Sequence, residues 1–174
     1  MGSSASAYPL PVAKHAPTGT PALVALTRGG VPHTVHTYDH DPATPAGYGL
    51  EAAGALGLPP DQVFKTLLAE VDGTLTVAVV PVTTTLDLKA LAAAVGGKRA
   101  VMARPADAER ATGYVVGGIS PLGQKTAHPT VVDETVELYD TVYVSGGRRG
   151  LDLGLAPADL IALTRAVVAD IARG

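Results

Sequence analysis

The sequence predicts an α+β domain built around a mixed β-sheet. Three observations carry this expectation. Short apolar, β-branched runs such as Val77-Ala78-Val79-Val80 have strand character. Helix-start signals stand between such runs, at Thr20-Pro21 and at Asp87. The two kinds of segment mix without a strict strand–helix–strand repeat, which argues against a doubly wound fold. With 174 residues, 47% of them apolar, the chain has material for one core.

Residues Met1 to Gly19 collect Ser, Pro, Ala and Gly without periodicity and read as a flexible leader, with the domain spanning 20–174. Thr20 caps a first helix with Pro21 at its first position; Leu23, Val24 and Leu26 follow, and Gly29-Gly30 stops it. His33 to Tyr38 is extended. Asp39 to Gly49 is rich in turn formers. A second helix covers Leu50 to Leu56. Val63 to Val71 and Thr74 to Val82 read as strands joined at Asp72-Gly73, a strong hairpin turn. The second of these, with its unbroken apolar run, should be buried on both faces.

Asp87 caps a helix through Leu88, Leu91, Ala92 and Val95. Ala100 to Ala103 is a short strand, and Pro105 to Ala111 a short helix ended by Gly113. Further strands are expected at Pro129 to Asp133 and Glu137 to Leu138. Leu160, Ile161, Thr164, Val167, Val168 and Ile171 fall at spacings of three and four, which predicts one amphipathic helix over Pro157 to Ala172.

Composition limits the chemistry. Only 4% of residues are aromatic, so Val, Leu, Ala and Ile must build the core. The absence of cysteine excludes disulfides, thiolate nucleophiles and Cys-ligated metals. A net charge of -3 disfavours extensive gripping of a nucleic-acid duplex, though not a local contact with one end. No apolar run has membrane-spanning length and no secretory signal is apparent, so a cytoplasmic protein is expected.

Several familiar motifs fail on inspection. Gly118 to Thr126 nearly spells a P-loop, but Gln124 separates Gly123 from Lys125, and Pro121 removes a cradling amide. His36, Asp39, His40 and Asp41 suggest a metal site, yet they sit on a strand end and a loop, not a helix face. No G-x-S-x-G is present for a serine hydrolase; Ser120 and Ser145 have only His128 nearby in sequence.

Two glycine pairs remain, Gly117-Gly118 and Gly146-Gly147, each after an apolar run. Glycines at strand ends let the backbone approach another group, so both segments are expected to line one site. Lys65, inside an apolar strand, is either its cation or an edge-strand charge that blocks aggregation. Asp152 is either a site acceptor or a turn aspartate paired with Arg148 or Arg149.

The segments HTYDHDP, DQVFKTLL, LDLKALAAAVGGKR, TGYVVGGISPLGQK and YVSGGRRGLDLGLAPADL resemble the YbaK/EbsC family of aminoacyl-tRNA deacylases, in the same order and over essentially all of Thr20 to Arg173. The resemblance is closest to the Cys-tRNA(Pro) deacylase type. It implies a compact α+β domain with a mixed, partly barrel-like sheet surrounded by helices. It implies trans-editing: hydrolysis of the ester joining a wrong amino acid, chiefly cysteine, to the 3′ acceptor end of tRNA(Pro), beside prolyl-tRNA synthetase. No metal or cofactor is expected. Carried over by motif, the family's important lysine falls on Lys65 and its site glycine on Gly117. Tyr38, Tyr48, Ser145 and Asp152 fall at substrate-binding positions; Tyr48 stands where the family has Phe, in a loop one residue longer. Gly118, beside Gly117, is expected to bind substrate through its backbone N–H. An Ala-tRNA(Pro) editing enzyme and a non-catalytic binding module on the same fold are the alternatives.

Overall fold

Asp72 and Gly73, both at positive φ, close a hairpin between two eight-residue strands at the centre of the molecule. The computed structural model describes residues 19–43 and 47–174, so the expected leader lies, Gly19 apart, outside the described residues. In chain order the elements are α1 (Pro21–Arg28), β1 (Thr34–Thr37), α2 (Tyr48–Leu56), β2 (Phe64–Val71), β3 (Thr74–Pro81), β4 (Thr85–Leu86), α3 (Leu88–Ala94), β5 (Ala100–Met102), α4 (Pro105–Thr112), β6 (Thr130–Asp133), β7 (Val142–Arg148), β8 (Leu151–Leu155), α5 (Pro157–Thr164), β9 (Val167–Ala169) and β10 (Ala172–Arg173).

The main sheet has the order β5-β2-β3-β6-β9, antiparallel on one side of β3 and parallel on the other. A second sheet, β1-β8-β7, is antiparallel. Val63 bridges in parallel to Tyr143, so the two sheets meet at one corner. This is the mixed, partly closed α+β arrangement the sequence predicts.

Side-chain alternation divides the core between the two faces of the hairpin. Phe64, Leu68, Val77 and Val79 face α1, α5 and the second sheet, where Leu26, Val144, Leu153 and Leu160 are buried. Ala69, Val71, Ala78 and Val80 face α3 and Ile171. A fully buried Val or Leu contributes roughly 1.5–3 kcal/mol. The double-sided burial of β3 explains its unbroken apolar run.

Both capped helices form as expected: Thr20 Oγ1 accepts from Leu23 N–H, and Asp87 Oδ1 from Ala90 N–H. Three expectations fail. The C-terminal helix stops at Thr164, where Arg165 turns left-handed (φ 54). Val167 to Ala169 instead pairs in parallel with β6. Apolar spacing alone could not separate these outcomes, because the open edge of β6 rewards β-branched residues as a strand. The expected strand at Glu137 to Leu138 is part of a 3-10 helix, Glu134–Leu138, started by Asp133 accepting from Thr135 N–H. Val115-Val116 is no strand: Gly118 N–H donates to Val115 O at 2.9 Å, and Gly117 at φ 92 makes a tight turn.

Asp133 ties the C-terminal segment to the sheet. It is 1% exposed, and its Oδ1 accepts from Ile171 N–H and Ala172 N–H, both at 2.9 Å. Its Oδ2 accepts from Thr135 N–H and Oγ1. Asp133→Ala strands these donors in or near the core and should lower unfolding free energy by roughly 3 kcal/mol in denaturant melts. A change under about 0.5 kcal/mol, the usual effect of a surface substitution, would show that these bonds do not hold the terminus.

Candidate active site

A cavity of about 310 Å³ opens beside the first half of β2, with walls from Phe64, Leu68, Ala108, Val116 and Ile119. Tyr38, Tyr48, Lys65, Gly117, Ser145 and Asp152 also line it. The structure thus brings six of the seven residues expected at the site to one hollow. The exception is Gly118. Its N–H is consumed by Val115 O, and a Cβ there would lie 2.7 Å from Arg148 Cα. Gly118 therefore lets two backbones pack together and has no free N–H to offer.

Lys65 opposes Val80 in the β2–β3 register. Its ammonium donates to Thr84 O at 2.7 Å, in the turn that ends β3. Partial burial pulls its pKa below the usual lysine value. A carbonyl satisfies one of its three protons, so the group keeps donors for a ligand.

The second sheet positions the opposite wall. Ser145 on β7 pairs with Asp152 on β8, which pairs with His36 on β1. A bulge follows Ser145, and its Oγ accepts from Gly147 N–H. Asp152 is 6% exposed, and no ion pair to Arg148 or Arg149 forms. Burial pushes its carboxyl up to about 7. Burial also raises the Tyr38 phenol, with the charge of Asp152 adding to the effect. Tyr38 is held by its own backbone: its N–H donates to Gly150 O at 3.0 Å.

Gly146 and Gly147 do not present amides to the cavity as expected. A Cβ at Gly146 would meet the Leu151 side chain at 2.6 Å, and one at Gly147 the Tyr114 ring at 2.8 Å. They are packing glycines inside a bulged strand. Gly117 differs. Its N–H donates to no group among the described residues, while its position lines the cavity.

Tyr48 stands at the first turn of α2 over the cavity mouth. The Arg149 guanidinium lies 4.9 Å from its ring centroid, and the His40 ring 5.6 Å. His40 belongs to no metal-binding cluster among the described residues; its Nδ1 lies 2.8 Å from Glu51 Oε1. Asp41 N–H also donates to Glu51, which holds that carboxyl below the usual range. The near P-loop is structural too. Ser120 is buried with its Oγ accepting from Leu122 N–H, and Lys125 is exposed.

Sequence reasoning missed three groups here. Arg149 donates through Nε and Nη2 to Val116 O, at 3.0 and 2.7 Å. Thr84 receives Lys65. Thr66, next to Lys65, lines the cavity with a buried hydroxyl that has no partner among the described residues. Only Arg149 carried a visible signal, its place between two glycine-flanked motifs; the other contacts depend on the hairpin register.

The chain is similar to several known proteins. The family described as aminoacyl-tRNA editing domain matches residues 44–163. Lys65, Gly117, Ser145 and Asp152 lie within that stretch; Tyr38 precedes it. EbsC of Enterococcus faecalis, described as a candidate Cys-tRNA(Pro)/Cys-tRNA(Cys) deacylase, is 41% identical over 120 residues, covering 68% of this chain and 73% of EbsC. A solved candidate trans-editing enzyme for prolyl-tRNA synthetase superposes with a TM-score of 0.74 at 29% identity, over 88% of this chain and 96% of that one. A scaffold used for computational epitope grafting superposes with a TM-score of 0.75 at 28% identity, over 88% and 96%. The chain belongs to the aminoacyl-tRNA editing domain family.

Proposed function

We propose that this protein is a trans-editing aminoacyl-tRNA deacylase that removes a wrong amino acid, chiefly cysteine, from tRNA(Pro). The observation that carries this reading is the cavity itself. It gathers a cation, a glycine whose N–H has no partner among the described residues and a buried carboxyl around an apolar hollow, with no Ser–His pair among its described lining residues to act as nucleophile. The similarity to EbsC and to the trans-editing structure supports the same reading.

An aminoacyl ester is already activated, so hydrolysis needs positioning and charge stabilisation more than a strong protein nucleophile. Lys65 is placed to hold a phosphate or the ester carbonyl. Gly117 N–H is placed to donate to the oxygen as it becomes negative. Ser145, Asp152 and Tyr38 form a polar wall suited to ribose hydroxyls and adenine. Tyr48 offers a face on which a base can stack.

For cysteine the substrate carries its own nucleophile. The thiol sulfur bonds to the carbonyl carbon, the bond to the ribose oxygen breaks, and the thiol proton ends on that ribose hydroxyl. The product is a thiolactone, and no covalent enzyme intermediate forms. A net charge of -3 equips the protein poorly to select a whole tRNA. Selection would then fall to prolyl-tRNA synthetase, in the cytoplasm where aminoacyl-tRNA is used, with residues 20–174 as the editing domain.

A deacylation panel with Cys-, Ala- and Ser-tRNA(Pro) tests the reading. Lys65→Ala should slow single-turnover deacylation of Cys-tRNA(Pro) by about a hundredfold, the scale of losing one charge-stabilising contact; an undiminished rate would remove Lys65 from the site. Ser-tRNA(Pro) should be cleaved far more slowly than Cys-tRNA(Pro), and equal rates would end the thiol-assisted route. Faster cleavage of Ala-tRNA(Pro) would reassign the enzyme to alanine editing.

The pH profile adds an independent check. Asp152 loses its proton near 7, and the ionised carboxylate is the form that accepts from a ribose hydroxyl. The rate at subsaturating substrate should therefore rise through pH 7 and level off above it. Asp152→Asn should abolish that inflection, leaving any rise near pH 8.5 that belongs to a substrate thiol. An unchanged inflection in Asp152→Asn would assign it to another group.

A further inference from the structure

Residues Val115 to Gly118 form a turn closed by the Gly118 N–H to Val115 O hydrogen bond. Val116 has negative φ and Gly117 has φ 92, which makes the turn type II. Types I and II differ mainly in the central peptide, which is rotated by roughly half a turn between them. Here that peptide joins Val116 to Gly117. Glycine at the third position removes the steric penalty on either orientation. Something else must choose between them.

Among the described residues, the side chain bonded to this peptide's carbonyl is Arg149, which places two N–H groups on Val116 O. A trans peptide is planar, with its C=O and N–H on opposite sides. Gripping the carbonyl from the Arg149 side turns the Gly117 N–H away from the guanidinium. Gly117 lines the cavity and Arg149 does not. The guanidinium is itself fixed from two directions. Its ring partner is Tyr48, and its backbone is seated against Gly118, where a Cβ would lie 2.9 Å from Arg149 N. The turn's other side is held by Glu109 Oε2, which accepts from Val116 N–H at 2.8 Å.

We propose that Arg149 is a positioning residue: through Val116 O it locks the Val116–Gly117 peptide with the Gly117 N–H turned into the cavity, and it polarises that N–H as a donor. This rests on the reading above, in which the Gly117 amide meets the developing oxyanion. A carbonyl that accepts charged hydrogen bonds makes the N–H of the same peptide a stronger donor. Arg149 therefore acts on the reacting carbonyl without touching substrate. The planar fork is what allows two bonds to one carbonyl; an ammonium cannot reproduce it.

The test combines kinetics and solution NMR on the full chain with Arg149→Ala and Arg149→Lys, the fold being checked by thermal melting. Removing an oxyanion donor costs roughly a hundredfold in kcat; a donor left in place but free to turn should cost about tenfold. Arg149→Ala should thus lower kcat for Cys-tRNA(Pro) about tenfold with KM within about twofold. Arg149→Lys should recover part of the loss, and added guanidinium should partly rescue Arg149→Ala. The opposite pattern, raised KM with unchanged kcat, would overturn the proposal and make Arg149 a phosphate contact.

The NMR readout does not depend on activity. The N–H residual dipolar coupling of Gly117 should change in Arg149→Ala while those of the β2–β3 hairpin stay constant. An unchanged Gly117 coupling would overturn the lock. If the wild type hydrolyses none of the three aminoacyl-tRNAs, the deacylase reading fails, and the dipolar couplings still decide whether Arg149 sets this peptide.

Discussion

Strand β2 is paired with β3 along its whole length but with β5 only at Ala69, Glu70 and Val71. The site depends on this unequal pairing. The full ladder with β3 fixes the height and facing of every β2 side chain. The missing partner beside Phe64 to Leu67 leaves a gap between the main sheet and the second sheet, and the cavity occupies it. The corner bridge between Val63 and Tyr143 keeps the two sheets from closing over it or drifting apart.

The open edge also reconciles the two meanings of Lys65. A charge on an unpaired strand edge protects against pairing with another chain. The same charge is half buried beside an apolar hollow and held by Thr84 O. Under the proposed function neither role excludes the other, because the cavity opens beside the same unpaired edge. Across the cavity, Asp152 carries the opposite electrostatic character. Desolvation holds its proton to about 7, so the hollow carries less negative charge at neutral pH than its composition suggests.

The glycines separate into two physical classes. Gly118, Gly146 and Gly147 are small because protein atoms press on them. Gly117 is glycine because its backbone needs positive φ and because Tyr48 and Arg149 stand within 2.9 Å of where a Cβ would be. Of the four, Gly117 lines the cavity and its N–H has no partner among the described residues. A glycine pair after an apolar run carries no mark of which class it belongs to, since the distinction lies in what the rest of the chain packs against it.

Local chemistry made much of the fold legible. Thr20-Pro21, Asp87 and Asp72-Gly73 act through neighbours within a few residues, and each does what its side chain or backbone preference dictates. The long motifs carried the family resemblance, and with it the positions of Lys65, Gly117, Ser145 and Asp152. Tertiary structure decided the rest. Val167 and Val168 became a strand because β6 offered an edge, and Ile171 was captured by Asp133 from 38 residues away. Arg149 reaches Val116 O across 33 residues, a contact that no local signal specifies. The physical reason is the range of the forces. Capping and turn chemistry act along the chain, whereas hydrogen bonds and packing between distant segments exist only after the sheet has set their register.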